Sequence, residues 1–317
     1  MRFKDLVVFT LLFAVTAQSN AIEMDSGVPG LQAESLRKDQ KYLDRLFFDK
    51  NETHAKTKGV LGFSGAVNAE SLQAWLNERV ALVISESMDL EKSILVAPGK
   101  ARYPEPKVLP KPDRSNVKPK PSSGGQGGSE PVLVMSNTGA ALYMLAKQNQ
   151  VLLALKQTNG KPFPLVSPRE GVIQIGKGLF LEKFRVNPET QDHPANSLSR
   201  LSTLFHEARH SDGHGATLGF PHAICPEDHS YAGHPACDKN LNGPYTIGAQ
   251  VLGSLVEACA DCSTKEKTIL KAIEADSRSR VLKVFKDPSG KTLHAGMWSD
   301  RPERMISFVR DSGHGLE

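Results

Sequence analysis

Two histidines four residues apart, with a glutamate after the first, are the residues of this chain best suited to chemistry. They stand in the segment His206-Glu207-Ala208-Arg209-His210, an H-E-x-x-H pattern. On an α-helix, positions four apart lie on one face about 6 Å from each other, so both imidazoles can converge on one metal ion. Glu207 projects onto an adjoining face, within reach of a metal-bound water. The pattern therefore indicates metal-dependent hydrolysis.

The surrounding sequence predicts the helix that this pattern needs. Asn196 or Ser197 can serve as the N-cap, and Gly213 follows the second histidine as a helix-ending residue. Apolar residues recur at helical spacing at Leu198, Leu201, Leu204, Phe205 and Ala208. His206 and His210 lie outside that stripe, so one face can pack while another presents the imidazoles. The alternative is a solvated pair of surface histidines.

A catalytic zinc ion needs three protein ligands and one open position. His214 is spaced four after His210, but on a straight helix it would lie about 12 Å from His206, too far to share an ion. Glu257 is better placed, on a later predicted helix where Asp261 follows one turn on. The remaining candidates for the third ligand are Asp212, His214, His222, His229 and His234.

These two motifs resemble the gluzincin arrangement of zinc peptidases, the thermolysin-like branch. The resemblance covers the H-E-x-x-H segment, the later Glu and Asp pair, and the order strand, helix, loop, helix. It implies one zinc ion, held by His206, His210 and Glu257. It also implies that Glu207 is the general base and that Asp261 hydrogen-bonds a ligating histidine.

The function expected from this resemblance is that of a zinc metallopeptidase, an enzyme that hydrolyses peptide bonds in a peptide or protein substrate. Tyr245 is the preferred donor to the developing oxyanion, ahead of Tyr231, His229 and His234. Two other functions remain open. One is a non-catalytic, exported zinc-binding or structural protein. The other is a zinc hydrolase that acts on cell-wall or other non-peptide amides.

The N-terminus has the features of an export signal. In residues 1–21, Arg2 and Lys4 precede an apolar run and then small residues suited to cleavage after Ala17 or Ala21. We therefore expect a periplasmic or secreted protein with no membrane span after signal removal. A formal charge of +4 over 317 residues gives no indication of a nucleic-acid partner.

Four cysteines follow the metal motif, and export favours their oxidation to disulfides. They are Cys225, Cys237, Cys259 and Cys262. The most local pairing joins Cys225 to Cys237 and Cys259 to Cys262, although two cysteines three apart within a helix are poorly placed for a bridge. Cross-links between the 225–237 loop and the 259–262 segment are the alternative, and a structural zinc on four thiolates is the rival to disulfides.

Composition divides the rest of the chain. Residues 22–97 predict a small helical region, a possible pro-region, with one helix capped at Asn68 and continuing to Ile84. Residues 98–131 form a Pro-, Lys-, Gly- and Ser-rich linker. Residues 132–317 predict a zincin-like α+β domain with a strand at 132–135, a helix at 140–156, a loop at 161–164 and a hairpin at 280–298. A strand at 171–184 is expected in a small edge-exposed sheet, where an extended peptide could pair with it.

Overall fold

The computed structural model belongs to the α+β class, with helices packed beside small sheets. It describes residues 22–48, 52–96, 107–108, 131–135, 139–144, 151–166, 171–210, 222–239, 241–282, 284–286 and 292–294. The predicted export signal and most of the predicted linker lie outside these residues. In the described part of the chain, no helix is long and apolar enough to span a membrane.

The helices carry most of the architecture around the metal motif. They are α1 (Gly30–Tyr42), α2 (Glu52–Leu61), α3 (Ala69–Asn77), α4 (Leu90–Ser93), α5 (Pro194–His210), α6 (Pro244–Ala258) and α7 (Thr264–Ser279). Short 3₁₀ turns cover Leu43–Arg45, Lys177–Leu179 and Glu182–Phe184. The predicted cap of α3 is confirmed, because the Asn68 side chain accepts from Ser71 N at 2.8 Å.

The strands form one larger sheet and three small ones. They are β1 (Glu23–Met24), β2 (Val80–Ile84), β3 (Ile94–Val96), β4 (Lys107–Val108), β5 (Pro131–Met135), β6 (Gly139–Met144), β7 (Val151–Lys156), β8 (Pro162–Val166), β9 (Gly171–Ile175), β10 (Ala223–Ile224), β11 (Pro235–Cys237), β12 (Val284–Lys286) and β13 (Thr292–His294). The larger sheet has the order β1-β2-β9-β6-β5-β4. The small sheets are β3-β7-β8, β10-β11 and β12-β13.

Several sequence-based expectations for secondary structure need correction. The helix that begins after Asn68 ends at Asn77, and the chain continues as β2 because its β-branched residues bury well in a sheet. Residues 140–156 contain strands β6 and β7 instead of a helix, and residues 162–166 form β8 where a loop was expected. The strand at 132–135 is confirmed in β5, and β12 and β13 pair antiparallel as the predicted hairpin requires.

The predicted edge strand at residues 171–184 lies elsewhere in the sheet. Only Gly171–Ile175 forms a strand, and β9 pairs with β2 on one side and β6 on the other. All five of its residues are buried. Because both of its hydrogen-bonding edges are taken, an extended peptide cannot add to this strand, and the expectation of an edge-exposed substrate strand here is wrong.

The hydrophobic core draws on both ends of the chain. Its N-terminal members include Leu36, Leu43, Leu72, Trp75 and Leu76, and its C-terminal members include Leu198, Leu201, Phe205, Leu252 and Leu255. The rings of Trp75 and Phe205 stack with centroids 5.3 Å apart. Asp39 on α1 accepts from Arg200 on α5 at 2.6 and 2.7 Å, and both side chains are buried. In the described chain, residues 22–96 and the metal motif therefore share one core.

The two disulfides follow the most local pairing, Cys225 with Cys237 and Cys259 with Cys262. The close spacing of the second pair is possible because α6 ends at Ala258. Cys259 has φ −78° and ψ 104°, an extended conformation outside the helix. Two disulfides indicate a protein that matures in an oxidising compartment.

Candidate metal centre

Helix α5 presents the H-E-x-x-H residues as the sequence predicts. Its apolar stripe faces the core, His210 is completely buried, and His206 is partly exposed near the first turns of α6. A Cβ placed on Gly248 of α6 would lie 3.3 Å from the Cβ of His206. The absence of a side chain at Gly248 thus lets the two helices approach closely directly beside the first histidine.

His222 completes a group of three imidazoles with His206 and His210. One ligand nitrogen from each ring lies within 4.8 Å of the other two. Nε2 of His206 is 3.2 Å from Nε2 of His222. Two nitrogens bound to a tetrahedral zinc at 2.0–2.1 Å would be about 3.3 Å apart, so this spacing fits a shared metal ion. The three residues can therefore hold a metal.

Asp238 fixes the orientation of His222 from behind. Its Oδ1 lies 2.8 Å from Nδ1 of His222, and its Oδ2 accepts from the backbone N–H of Tyr245 at 2.8 Å. Asp238 is 2% exposed. Because a carboxylate only accepts, Nδ1 of His222 carries the proton and Nε2 offers its lone pair to the other imidazoles. The same carboxylate satisfies an N–H group in the first turn of α6.

The β10–β11 hairpin brings His222 and Asp238 together. Ala223 pairs with Cys237 in its antiparallel register, so the residues just outside that pair, His222 and Asp238, face each other. The Cys225–Cys237 disulfide closes the hairpin. On its other side, Asp238 exchanges backbone hydrogen bonds of 2.8 and 2.7 Å with the 280–282 segment.

The electrostatic surroundings favour the neutral form of His206. Burial lowers its pKa well below the ordinary value, and the neighbouring His222 and His210 lower it further. A hydrogen bond with the backbone of Pro244, which can only accept, acts in the opposite direction. A neutral imidazole keeps the lone pair that binding to a metal requires.

Tyr245 packs directly on the imidazoles. Its ring centroid is 4.6 Å from that of His206 and 4.7 Å from that of His222. The phenol oxygen accepts from Nη1 of Arg280 at 2.9 Å. Burial raises the pKa of Tyr245, while Arg280 opposes the rise. The phenol therefore stays protonated, and its hydrogen is not used in the bond with Arg280.

Arg280 is itself held from several sides. Its Nε and Nη2 donate to Oδ2 of Asp276 at 2.9 and 2.6 Å, and its guanidinium lies 3.7 Å from the centroid of the Tyr231 ring. Tyr231 donates to Asp276 at 3.1 Å. Tyr231 thus supports the arginine and does not point at the three imidazoles.

Glu207, the expected general base, is 2% exposed on α5. It follows His206 directly, so the helix places it on the face adjoining the two histidines. The structure thus places Glu207 on the helix that carries two of the three imidazoles and keeps it away from bulk water. Its catalytic role remains a prediction.

Glu257 does not join the imidazoles. It is exposed near the end of α6, where its Oε1 accepts from Thr53 at 2.9 Å. Glu257 lies nine positions after Gly248, which packs beside His206, and nine positions of helix span about 13 Å. Glu257 therefore lies outside the group of imidazoles, and the structure brings His222 next to His206 and His210 instead.

Asp261 also lies away from the imidazoles. It is exposed, its Oδ2 accepts from the Tyr42 hydroxyl at 3.1 Å, and it lies 3.8 Å from Arg45. The carboxylate that hydrogen-bonds one of the three imidazoles is Asp238, which contacts His222. The chain offered one signal for Asp238, namely its position next to Cys237 in the histidine-containing loop.

Among the other candidate ligands that the structure describes, neither His229 nor His234 belongs to the group of three imidazoles. Asp212 and His214 lie outside the described residues. Nδ1 of His229 accepts from the Tyr231 backbone at 3.1 Å, and its Nε2 donates to the Ser279 carbonyl at 3.0 Å. A second group, Cys225, His229 and Cys237, has metal-ligand spacing, but its sulfurs are joined to each other. His234 is exposed.

Comparisons with known proteins add no relative. No protein-family model matches the chain, and neither does any curated protein or solved structure.

Proposed function

We propose that this protein is an exported zinc-dependent peptidase with a zincin-like catalytic region. The observation that carries the proposal is the convergence of His206, His210 and His222, with their ligand nitrogens within 4.8 Å, together with the buried Glu207 on the helix of the first two. Three histidines with one open position form one of the ligand sets of catalytic zinc. The H-E-x-x-H helix adds the base that peptide hydrolysis requires.

The donor set supports zinc as the metal. His206, His210 and His222 would hold the ion through neutral imidazole nitrogens, the ligands that zinc commonly takes in proteins. When bound, zinc supplies Lewis-acid polarisation of a carbonyl and lowers the pKa of a water to about 7. The third ligand is an imidazole and not the glutamate of the gluzincin branch. The proposal therefore keeps the part of the resemblance that rests on the H-E-x-x-H helix, including Glu207 as the base. It drops the part that rests on Glu257 and Asp261.

The chain supplies the proton transfers and the orientation. Glu207 accepts the proton of the attacking water and passes it to the leaving amine. Asp238 keeps Nδ1 of His222 protonated, which directs Nε2 toward the other imidazoles. Tyr245 donates its phenol hydrogen to the oxyanion that develops from the peptide carbonyl. Arg280 is the residue that positions this phenol.

Export completes the proposal. The predicted signal in residues 1–21 would direct the chain to the periplasm or the medium, where the Cys225–Cys237 and Cys259–Cys262 disulfides form. The substrate would be a peptide or protein encountered in that compartment.

The test uses the mature chain, residues 22–317, because residues 22–96 contribute to the core around α5. Zinc content is measured first, and the zinc-loaded, chelator-treated and zinc-restored proteins are then incubated with a broad peptide library. We expect one zinc per chain and cleavage that is lost and regained with the metal. Zinc-loaded protein that cleaves no peptide would contradict the proposal. In that case, activity on isolated cell-wall material would indicate a non-peptide amidase, and inactivity there would indicate a binding protein.

A further inference from the structure

The three metal ligands are held by two different cores. His206 and His210 belong to α5, whose apolar face is part of the main hydrophobic core. The hairpin that carries His222 has a separate small core, formed by Cys225, Cys237 and Leu282 with partly buried neighbours. The position of the third ligand therefore depends on a small structure whose central feature is a disulfide.

Connectivity places this disulfide next to the metal centre. Cys237 is the residue before Asp238, and Cys225 is three residues after His222. The bond closes the two-stranded sheet in which Ala223 faces Cys237. Two strands this short bury too little to fix their own register, and without the bond the small core loses its central contact.

We propose that the Cys225–Cys237 disulfide is the positioning element of the third ligand and that it couples zinc binding to oxidation of the chain. The inference rests on the zinc site of the proposed function. With the bond formed, Asp238 faces His222 and holds its Nε2 toward the other imidazoles. With the bond broken, His206 and His210 remain on α5, and the site keeps two fixed ligands and one mobile one.

If zinc binding depends on this disulfide, the chain binds zinc tightly only after export to an oxidising compartment. The two thiols of Cys225 and Cys237 lose two protons and two electrons as the sulfur–sulfur bond forms. An external disulfide accepts them by thiol–disulfide exchange and becomes a dithiol. A chain that is still reduced before export would then hold zinc weakly at the three imidazoles, and oxidation would complete the high-affinity site there.

The second disulfide provides a matched control. Cys259 and Cys262 follow the C-terminal end of α6, whose last residue, Ala258, lies ten positions and about 15 Å past Gly248. The hydroxyl of Tyr42, on α1, is 3.5 Å from Sγ of Cys259. Loss of this bond removes a covalent constraint of the same kind without touching the ligand hairpin.

The experiment compares zinc affinity in three mature proteins: wild type, Cys225→Ser/Cys237→Ser and Cys259→Ser/Cys262→Ser. Serine variants are preferable to chemical reduction, because free thiols at 225 and 237 with His229 have metal-ligand spacing of their own. Affinity is measured by competition with a zinc chelator, and the cobalt-substituted proteins report coordination through their visible absorption. Circular dichroism of the metal-free proteins shows that each is folded.

We expect the Cys225→Ser/Cys237→Ser protein to bind zinc about 10–100-fold more weakly, the usual loss when the support of a ligand is removed, with an altered cobalt spectrum. The Cys259→Ser/Cys262→Ser protein should match the wild type within about twofold. Equal affinity in all three proteins, or equal losses in both variants, would overturn the inference while leaving the zinc site intact. A wild type that binds no zinc would overturn the proposed function as well.

A second measurement covers a serine variant that does not fold. Cys225→Ala/Cys237→Val keeps the small core apolar and is tested in the same way. Zinc affinity is also compared between His222→Ala and the same protein with both Cys225 and Cys237 replaced. If the disulfide acts through His222, removing the disulfide from His222→Ala should cause no further loss of zinc affinity. A further loss of 10-fold or more would show that it acts through another route and would contradict the inference.

Discussion

Carboxylates and a disulfide lie at each end of α6, but their surroundings differ between the two ends. At the N-terminal end, Asp238 is buried against His222, Tyr245 packs on two imidazoles, and a disulfide closes the adjacent hairpin. At the C-terminal end, Glu257 and Asp261 are exposed and bond to Thr53 and Tyr42 of the N-terminal region, again beside a disulfide.

The carboxylates at the two ends of α6 differ in burial and in the number of groups that each one orients, and not in residue type. A buried carboxylate that accepts from an imidazole and from a helix N–H fixes both partners in one geometry. An exposed carboxylate beside a hydroxyl gains little and constrains little. The N-terminal end of α6 therefore serves the proposed metal centre, and the exposed carboxylates at the C-terminal end only contact the chain's first helices.

The largest contrast should separate Glu207 from Glu257. Glu207→Gln keeps the shape of the side chain but removes the base, so peptide cleavage should fall about 10²–10⁴-fold while zinc content stays near one per chain. Glu257→Gln should leave both quantities unchanged. Rates on the best library peptide and metal analysis of both variants make the comparison. Residual activity near wild type in Glu207→Gln would remove this residue from the mechanism.

Substitutions in contacts between the N-terminal helices and the rest of the chain should change the free energy of unfolding and leave zinc affinity unchanged. Asp39→Ala leaves Arg200 buried without its carboxylate partner, which costs about 3–5 kcal/mol in the free energy of unfolding. The exposed pair Lys38 and Asp192 is the control, and Lys38→Ala should hardly move the unfolding midpoint. Urea unfolding measures both. A small loss in Asp39→Ala would mean that residues 22–96 are not needed by the core around α5.

Asp238 and Asp261 form the next pair. Asp238→Asn removes the carboxylate behind His222, and we expect zinc affinity to fall about 10–100-fold. Asp261→Asn should bind zinc like the wild type, because its carboxylate bonds to Tyr42 and lies away from the ligands. Chelator competition on both proteins decides between them. Equal affinities would give the supporting role to neither residue.

The smallest effect concerns two glycines of α6. A Cβ on Gly248 would press on His206 at 3.3 Å and on the Ser202 carbonyl at 3.4 Å, so Gly248→Ala should weaken zinc binding a few-fold, to less than about 10-fold. A Cβ on Gly253 meets the flexible end of Glu274 at 3.0 Å, and Gly253→Ala should leave zinc binding alone. Zinc titrations and thermal unfolding midpoints of both variants test this difference. A larger loss of zinc affinity in Gly253→Ala than in Gly248→Ala would contradict it.

Local spacing explains which parts of this site the sequence could predict. His206, Glu207 and His210 lie within one helix, so 3.6-residue periodicity and an apolar stripe were enough to place them. The cap at Asn68 and the strand at 132–135 are equally local. Each of these depends on a few consecutive residues and on no distant partner.

The contacts that the sequence could not supply are long-range. His222 was one of several possible ligands, and only the hairpin register places it opposite Asp238. The Glu257 and Asp261 pair had the right spacing, but the point where α6 crosses α5 puts it about 13 Å too far along the helix. The burial of β9 likewise depends on β2, whose paired residues lie 90 or 91 positions earlier in the chain.

X-ray absorption at the zinc edge of the mature, zinc-loaded protein would show whether three imidazoles bind one zinc ion. We predict one zinc per chain with nitrogen or oxygen neighbours at about 2.0–2.1 Å, the multiple-scattering pattern of three imidazoles, and one fewer imidazole in the His222→Ala variant. Sulfur neighbours at about 2.3 Å, or an unchanged imidazole count in His222→Ala, would contradict it.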